Sequence, residues 1–590
     1  MPKRKKAILK IETRINTLLG IFGLVLVVLI CRLFMIQVLQ HDKYKALAQE
    51  QYWDLSVLPA RRGDIISKDG FTLAGTQTHY LLYIEPKKLR EPHETGRHLA
   101  EILSKMKAVE EKEEEELYNH FYDKVVEIAK SDLYWYVISR NLTPIQKEEI
   151  QELQIPGVGF EEEPVRYYPE DTLGAHILGF VAYNESGEKQ GYFGIEGSFN
   201  EDLKGKEGRV LQETDASGNP ILLGEYKSSD TVKGRDIVLT IDRSVQYIVE
   251  KKLSEGVKSY DAKSGSIVVM EPGSGEIIAM ANYPTYHPND FRDYEESNEE
   301  ARRKEIEKRN LSISQTYEPG SVLKPVTVAS AINLNLVTPQ TTFDDRGPVS
   351  YSGYVINNWD FKHHGVQTIT QLLEKSNNVG AAWLGHVIGA ENLHKYLTSF
   401  GIGSRSKIEL EGEDTGNIRP YDTWTDIDLA TAAFGQGVSA TPLQVLNAFN
   451  TLANGGILFK PKIVSEIRDF DKTIELPASN LGRVISVETS DTLTEMLVNA
   501  AHSGEAKFFL LKNYIIAGKT GTAQISIEGK YDPLKTNVTF AGYLANSKKF
   551  SMIVKLEEPR ASIYAAETAV PLWMDIADEL IKYYGIPADQ

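Results

Sequence analysis

Ser321-Val322-Leu323-Lys324, Ser376-Asn377-Asn378 and Lys519-Thr520-Gly521-Thr522 follow one another along this chain. Together they hold a serine that could attack a carbonyl and a lysine that could take its proton. A second hydroxyl could relay that proton, and a strand could hold a carboxylate. That set suits an enzyme that acylates itself on serine. Each motif alone carries little. Ser-x-x-Lys recurs at Ser104/Lys107 and Ser404/Lys407, and Ser-x-Asn at Ser139/Asn141 and Ser198/Asn200. Matches this short arise by chance at ordinary composition, so order, spacing and flanking residues carry the weight.

Glu318-Pro319-Gly320 reads as a turn, with a helix beginning at Ser321. Lys324 would then stack one turn beyond the serine hydroxyl. Pro325 suits a first turn, whose N–H groups lack helical partners. Those N–H groups and the positive end of the helix dipole favour developing negative charge. Lys324 must be neutral part of the time to act as a base. Burial and a nearby cation would lower its pKa, and Lys519 can supply that cation. The plain alternative for Lys324 is a surface lysine on an amphipathic helix.

Ser376-Asn377-Asn378 falls in a polar break between Leu372-Leu373 and the apolar run Val379 to Ile388. It could simply cap the next helix. As a functional loop, Ser376 relays a proton to a leaving amine, and Asn378 bonds a substrate amide or Lys324. Lys519-Thr520-Gly521-Thr522 follows the β run Ile515-Ile516-Ala517. Gly521 is expected to let a substrate backbone approach as an added strand. Lys519, Thr520 and Thr522 would bind a substrate carboxylate, and the Thr522 and Ser321 N–H groups would form an oxyanion hole.

The elements that must position these residues can be read in outline. Asp236 to Ile241 is a strand leading into a helix, Asp242 to Gly256, with Asp242 as N-cap. Gly265 to Met270 and Glu276 to Met280 form a hairpin across Pro272-Gly273-Ser274-Gly275. Strand texture returns at Tyr514 to Gly518, Thr539 to Tyr543 and Phe550 to Lys555, before an amphipathic helix from Pro571 to Tyr584. A long helical stretch, Ser321 to Leu452, lies between. Strands at both ends with helices between predict one antiparallel sheet packed on a helical region. From His41 to Lys233, short β runs such as Tyr80 to Ile84 alternate with charged helical stretches such as Glu94 to Tyr122.

A chain of 590 residues, 42% hydrophobic and a quarter charged, holds two or more globular domains. A net charge of −17 argues against a nucleic-acid partner. The acidic run from Glu110 to Glu116 reads as a solvated helix face. Lys3, Arg4, Lys5, Lys6, Lys10 and Arg14 precede an uncharged stretch, Ile15 to Cys31, that continues past Arg32 to Val38. Residues 15–38 are long enough to cross a bilayer, and Arg32 could snorkel to the headgroups. The basic flank places a tail, residues 1–14, in the cytoplasm and exports the rest. No Ala-x-Ala-like cleavage site comes after it, so a retained anchor is expected. The single cysteine, Cys31, lies inside that segment, so the exported part has no disulfide and no cysteine nucleophile. No Asp/Glu/His cluster at ligand spacing supports reading the His363-His364 pair as a metal site, and no metal or other cofactor is expected.

With these residues in place, the chain resembles the penicillin-binding protein transpeptidases. Tyr317 to Ser321, Lys324-Pro325, the Ser-x-Asn and Lys519 to Thr522 carry the resemblance, which extends over nearly the whole chain as that of class B, the monofunctional high-molecular-weight group. Arg62-Gly63-Asp64-Ile65 with Asp69-Gly70 resembles the first pedestal motif, with Ser67 and Lys68 where Asp and Arg are usual. Arg166-Tyr167-Tyr168-Pro169, His176 to Gly179 and Gly194-Ile195-Glu196 resemble the later ones. Phe434 to Gly437, Thr441 to Gln444 and Ala453 to Gly456 resemble structural turns of the transpeptidase domain. Val322-Leu323 replaces the common Thr-Phe without touching the chemistry.

The resemblance implies a fold of a transmembrane helix (15–38), an elongated mixed α+β pedestal of dimerisation type (39–235), and an α+β transpeptidase domain (236–590) of serine β-lactamase type. It implies that Ser321 attacks the penultimate D-Ala of a peptidoglycan stem peptide and that a neighbouring stem's amine then forms the cross-link. β-Lactams would trap Ser321. The expected partners are a SEDS-type glycosyltransferase and other divisome membrane proteins, since this chain shows no glycosyltransferase module. The Phe434 to Gly437 turn and the Gln37 to Tyr44 junction look more like the cell-division branch than the elongation branch, and a sporulation member would look similar. Rival readings are a D,D-carboxypeptidase, a serine β-lactamase and a non-catalytic scaffold or β-lactam receptor.

Overall fold

The protein's structure, a computed structural model, describes residues 2–45, 53–107, 111–184, 186–213, 226–291, 309–527 and 529–589. The chain divides into two compact units, Met1–Ala60 with Lys206–Val232, and Arg61–Gly205 with Lys233–Gln590.

In the first unit, helix α1 (Pro2–Phe34) runs into a π-helical turn, Met35–Leu39. Its segment Thr13–Leu39 is long and apolar enough to cross a membrane, and its side chains are exposed rather than packed in a core. The unit also holds an antiparallel three-stranded sheet, in which Gly208–Glu213 pairs with Trp53–Leu58 on one side and Tyr226–Ser229 on the other.

The second unit contains the three motifs. Its elements, in chain order, begin with β1 (Ile65–Ile66), β2 (Thr72–Ile84), α2 (Pro92–Lys107), α3 (Glu111–Ile128), β3 (Tyr136–Leu142) and β4 (Val158–Tyr167). Then come β5 (Asp236–Leu239), α4 (Arg243–Ser259), β6 (Ser264–Met270), β7 (Ile277–Tyr283), α5 (Lys324–Asn333), α6 (Ile369–Glu374) and α7 (Asn378–Ile388). Last are α8 (Pro442–Ala453), β8 (Val464–Arg468), β9 (Thr473–Glu475), α9 (Val487–Ser503), β10 (Ile516–Ile527), β11 (Lys530–Leu544), β12 (Ser551–Glu557) and α10 (Ala569–Tyr584).

Among the described residues two large sheets organise this unit. One runs β9-β8-β5-β1-β2-β3, with β4 also pairing β2. Strand β5 lies antiparallel to β8 and parallel to β1, so residues near 65, 237 and 467 share one ladder. The second is antiparallel, in the order β7-β6-β12-β11-β10. Its β6 and β12 strands are buried on both faces, which explains their continuous apolar runs. One face packs on α4 and α10, where Trp573 is fully buried and its indole N–H donates to Met552 O at 2.9 Å. The other packs on the helical core around α5, α7 and α8.

The Asp242 cap forms as expected, its carboxylate accepting from Val245 N at 3.0 Å. Three features differ from the sequence reading. The helical stretch from Ser321 to Leu452 is interrupted by two antiparallel pairs, Thr342–Asp345 with Gly365–Thr368 and Val349–Tyr351 with Tyr354–Ile356. The second turns through Ser352 (φ +50°) and Gly353 (φ +82°), a two-residue reversal whose left-handed backbone suits a tight hairpin. Strands β10 and β11 run well beyond the apolar segments that signalled them, because their far halves are polar and solvent-facing. The segment read as one helical stretch from Glu94 to Tyr122 is two helices, α2 and α3, and part of the acidic run falls outside the described residues.

Candidate active site

Tyr317 pairs with Ala440 in an isolated antiparallel bridge and leads into the nucleophile turn. Gly320–Leu323 form a 3-10 turn, and α5 starts at Lys324. Gly320 has φ +60°, and its N–H donates to Gly435 O at 2.9 Å. A Cβ on Gly435, itself at φ +82°, would lie 2.2 Å from Gly320 O. The Phe434 to Gly437 turn is therefore the bed on which the nucleophile turn rests. Glu318 ties the same region together, accepting from Gly437 N at 2.8 Å and from Tyr531 OH at 2.9 Å. Ser321 is half-buried, and among the described residues its hydroxyl makes no hydrogen bond.

Lys324 is fully buried at the start of α5. Its ammonium nitrogen lies 2.5 Å from Ser376 O, 2.8 Å from Asn378 Oδ1 and 3.4 Å from Ser376 Oγ. Lys519 on β10 is also buried and donates to Ser376 Oγ at 3.0 Å and Thr520 Oγ1 at 3.1 Å. The Ser376 hydroxyl thus stands between two lysines. Burial, and then the positive charge of Lys519, holds Lys324 well below the ordinary lysine pKa, against a smaller upward pull from Glu505. Burial also lowers Lys519, again opposed by Glu505. Both lysines are thus held below the ordinary value, and Lys324 has in addition a cation, Lys519, pressing on it.

Ser376 has φ +53°, a left-handed conformation that costs a non-glycine residue about 1–2 kcal/mol. Its neighbours along the chain and across the small hairpins hold it there. Asn377, not Ser376, caps α7, accepting from Gly380 N at 2.7 Å. Asp345, fully buried, accepts from Asn377 Nδ2 at 2.7 Å and Asn358 Nδ2 at 2.8 Å. Asn358 Oδ1 in turn accepts from Asn378 N at 3.0 Å. Asp345, Asn358 and Asn377 thus fix Ser376 and Asn378 from behind. The sequence gives no spacing signal for Asp345 or Asn358, because their contact depends on the small hairpins.

Gly521 has a packing role in addition to the one its sequence suggested. A Cβ there would meet Pro319 O at 2.9 Å and Val322 N at 3.2 Å. Its missing side chain admits the backbone of the nucleophile turn, which brings β10 against Ser321. Thr522 Oγ1 accepts from Ala565 N at 3.1 Å, and Thr520 Oγ1 donates to Glu505 Oε2 at 2.8 Å. Glu505 belongs to a 3-10 turn, Glu505–Phe508, after α9. Nothing in its local sequence marks it.

Behind the turn, Gly521, Thr539 and Lys555 are cross-strand neighbours on β10, β11 and β12. Thr539 Oγ1 donates to Tyr317 OH at 3.3 Å, and Lys555 donates to Gln315 Oε1 at 2.9 Å. Glu557 receives Ser264, Gln315 and Lys263 at 2.7–2.8 Å. Burial pushes Lys555 down to about 8. Burial raises Glu557, but Lys555 and the donors around it reverse that and hold it down to about 2.

The pedestal motifs also meet. Glu196 is fully buried between two guanidiniums, with Arg62 Nε at 2.6 Å and Arg166 Nε at 2.5 Å. Arg62 also donates to Glu196 O and Asn200 Oδ1 at 3.0 Å, and Arg166 to Gly63 O at 2.6 Å. Burial raises the Glu196 carboxyl, and the two arginines more than reverse it.

A hydroxyl held between two buried lysines, one of them three residues beyond a serine whose own hydroxyl makes no hydrogen bond among the described residues, is the arrangement of a serine acyltransferase. The comparisons with known proteins agree. Residues 265–578 match the model of the penicillin binding protein transpeptidase domain, and residues 57–239 that of the penicillin-binding protein dimerisation domain. Stage V sporulation protein D of Bacillus subtilis is 30% identical over 96% of this chain and 85% of its own length. Peptidoglycan D,D-transpeptidase FtsI of Escherichia coli is 29% identical over 77% of this chain and 73% of its own. Among solved structures, penicillin binding protein 2X from Streptococcus thermophilus shares the fold, with a TM-score of 0.73 at 21% identity, covering 90% of this chain and 80% of that one. Penicillin binding protein 3 from Mycobacterium tuberculosis, complexed with aztreonam, gives 0.67 at 24% identity, covering 91% of this chain and 98% of that one. The chain belongs to the penicillin-binding protein transpeptidases, in the class B arrangement of a dimerisation domain followed by a single transpeptidase domain.

Proposed function

We propose that this protein cross-links peptidoglycan stem peptides through an acyl-serine intermediate on Ser321. The carrying observation is the buried Lys324-Ser376-Lys519 relay, one turn from Ser321. Ser321 Oγ attacks the penultimate D-Ala carbonyl carbon while its proton passes to Lys324. The oxyanion rests on the N–H groups of Ser321 and Thr522. The proton returns through Ser376 to the nitrogen of the leaving D-Ala. An acceptor amine then attacks the ester, expels Ser321 Oγ and completes the amide. Asn378 holds Lys324 and the donor amide. Lys519, Thr522 and, in the sequence reading, Thr520 receive the terminal carboxylate.

The basic flank of α1 supports a cytoplasmic N-terminus, one membrane crossing near residues 15–38, and a catalytic body outside the bacterial cell membrane. We assign residues 39–235 to a pedestal and residues 236–590 to the transpeptidase domain. A septal role, beside a SEDS-type glycosyltransferase and other divisome proteins, rests on the resemblance to the cell-division branch. The identity to a sporulation protein supports a spore-specific role as the second reading. Depletion separates them: filamentous cells mark the septal role, and normal division with failed spores marks the other.

The test of the chemistry is labelling of the full-length protein in detergent with a fluorescent penicillin, then peptide mapping. Label on Ser321, absent in Ser321→Ala, is expected. Folded wild-type protein that neither labels nor turns over a thioester donor would overturn the proposal. Hydrolysis alone, with excess acceptor amine and glycan substrate present, would replace cross-linking with D,D-carboxypeptidase activity.

A further inference from the structure

The Thr520 hydroxyl has one proton, and the structure gives it to a carboxylate. Thr520 Oγ1 donates to Glu505 Oε2 at 2.8 Å and accepts from Lys519 Nζ at 3.1 Å. Lys519 continues to Ser376 Oγ at 3.0 Å, and Ser376 to Lys324 at 3.4 Å. Glu505 is therefore the end of a chain that runs through both lysines. Its turn is anchored: Ala506 is buried, and Gly504 leaves no room for a side chain, since a Cβ would lie 2.7 Å from Glu374 O. Thr522 differs from Thr520. Its hydroxyl accepts from Ala565 N, which leaves its own proton to give.

We propose that Glu505 is a positioning residue that fixes the proton inventory of the two-lysine relay and withdraws Thr520 from carboxylate binding, leaving the substrate carboxylate to Lys519 and Thr522. This rests on the reading of Ser321 as the nucleophile. A hydroxyl donating to Glu505 and accepting from Lys519 has no proton left for a substrate carboxylate. A fixed negative charge at the end of the chain favours the ammonium form of Lys519, the form that can hold a substrate anion and the Ser376 oxygen together. The charges acting on the pair are Lys519 from β10, which presses on Lys324, and Glu505 from the turn after α9, which acts on both. Lys507 on the same turn, His502 on α9, and Glu374 and Lys375 at the end of α6 are the other charged or titratable groups on the surrounding elements. Glu505 pulls both lysines towards the charged form, so its removal shifts both in one direction.

The experiment compares acylation rates of the full-length protein by a fluorescent penicillin, across pH, in wild type, Glu505→Gln, Glu505→Ala and Glu505→Asp. Both limbs of the profile are expected to move to lower pH in the Gln and Ala variants. The Asp variant, which keeps the charge, is expected to stay near wild type. If Ala unfolds, the near-isosteric Gln carries the test. Gln and Ala profiles that coincide with wild type, while Ser321 is still labelled, overturn the inference alone. Absence of label on wild-type Ser321 overturns the site reading and this inference with it.

Discussion

At the scale of single residues, the site turns on which lysine is neutral. Lys324 is held well below the ordinary lysine value, so acylation should rise with pH as Lys324 loses its proton, with a midpoint well below 10.5. It should fall again as Lys519, also depressed, loses its own. A bell in the pH profile of acylation checks this. Lys324→Arg keeps a cation that cannot deprotonate. It should lower acylation by about 10²–10⁴-fold, the usual contribution of a general base, while thermal unfolding checks that the fold is kept. The sequence marked Ser321, Lys324, Ser376, Asn378 and Lys519 because three short motifs stand in one order with matching flanks, and the structure brings the last four together. It hid Glu505, Asp345 and Asn358, whose roles come from contacts across long sequence distances. It suggested a substrate carboxylate as a partner of Thr520, whose hydroxyl in the structure donates to Glu505.

At the scale of elements, two glycines decide how closely the nucleophile turn can be approached. Gly435→Ala would set a methyl 2.2 Å from Gly320 O at a left-handed φ. Gly521→Ala would press on Pro319 and Val322 from the other side. Both should displace Ser321 and slow acylation more than they lower the melting temperature, and Gly435→Ala, which meets backbone on a strained φ, should be the worse. Parallel measurement of acylation rate and thermal unfolding decides it. The helices with apolar periodicity, α4 and α10, and the strands with continuous apolar runs, β6 and β7, were legible in the sequence. The polar halves of β10 and β11 were not, because their pairing comes from the neighbouring strand rather than from burial.

At the scale of the whole molecule, buried charge holds separate motifs together. Glu196→Ala would strand Arg62 and Arg166 without their shared carboxylate. The loss should be about 3–5 kcal/mol, read by denaturant unfolding of the full chain. Glu557 gives a pH signature. Its folded pKa lies near 2, below its ordinary value, so its stabilising effect is full above about pH 4.5 and is lost as pH falls towards 2. Glu557→Gln should therefore flatten the acid limb of the melting curve. The two sheets also carry a consequence for synthesis. Strand β12 comes last of the five in the chain yet lies at the centre, and β6 meets β11 only through it. A nascent chain that ends before Ser551 therefore holds two unjoined hairpins. Its β10 and β11 strands then lack the ladder that ties them to β6 and β7. High contact order of this kind slows folding and leaves open strand edges for a time. Acylating competence should then appear late and at once, when the final strand closes the gap, so that unfinished molecules never consume donor substrate.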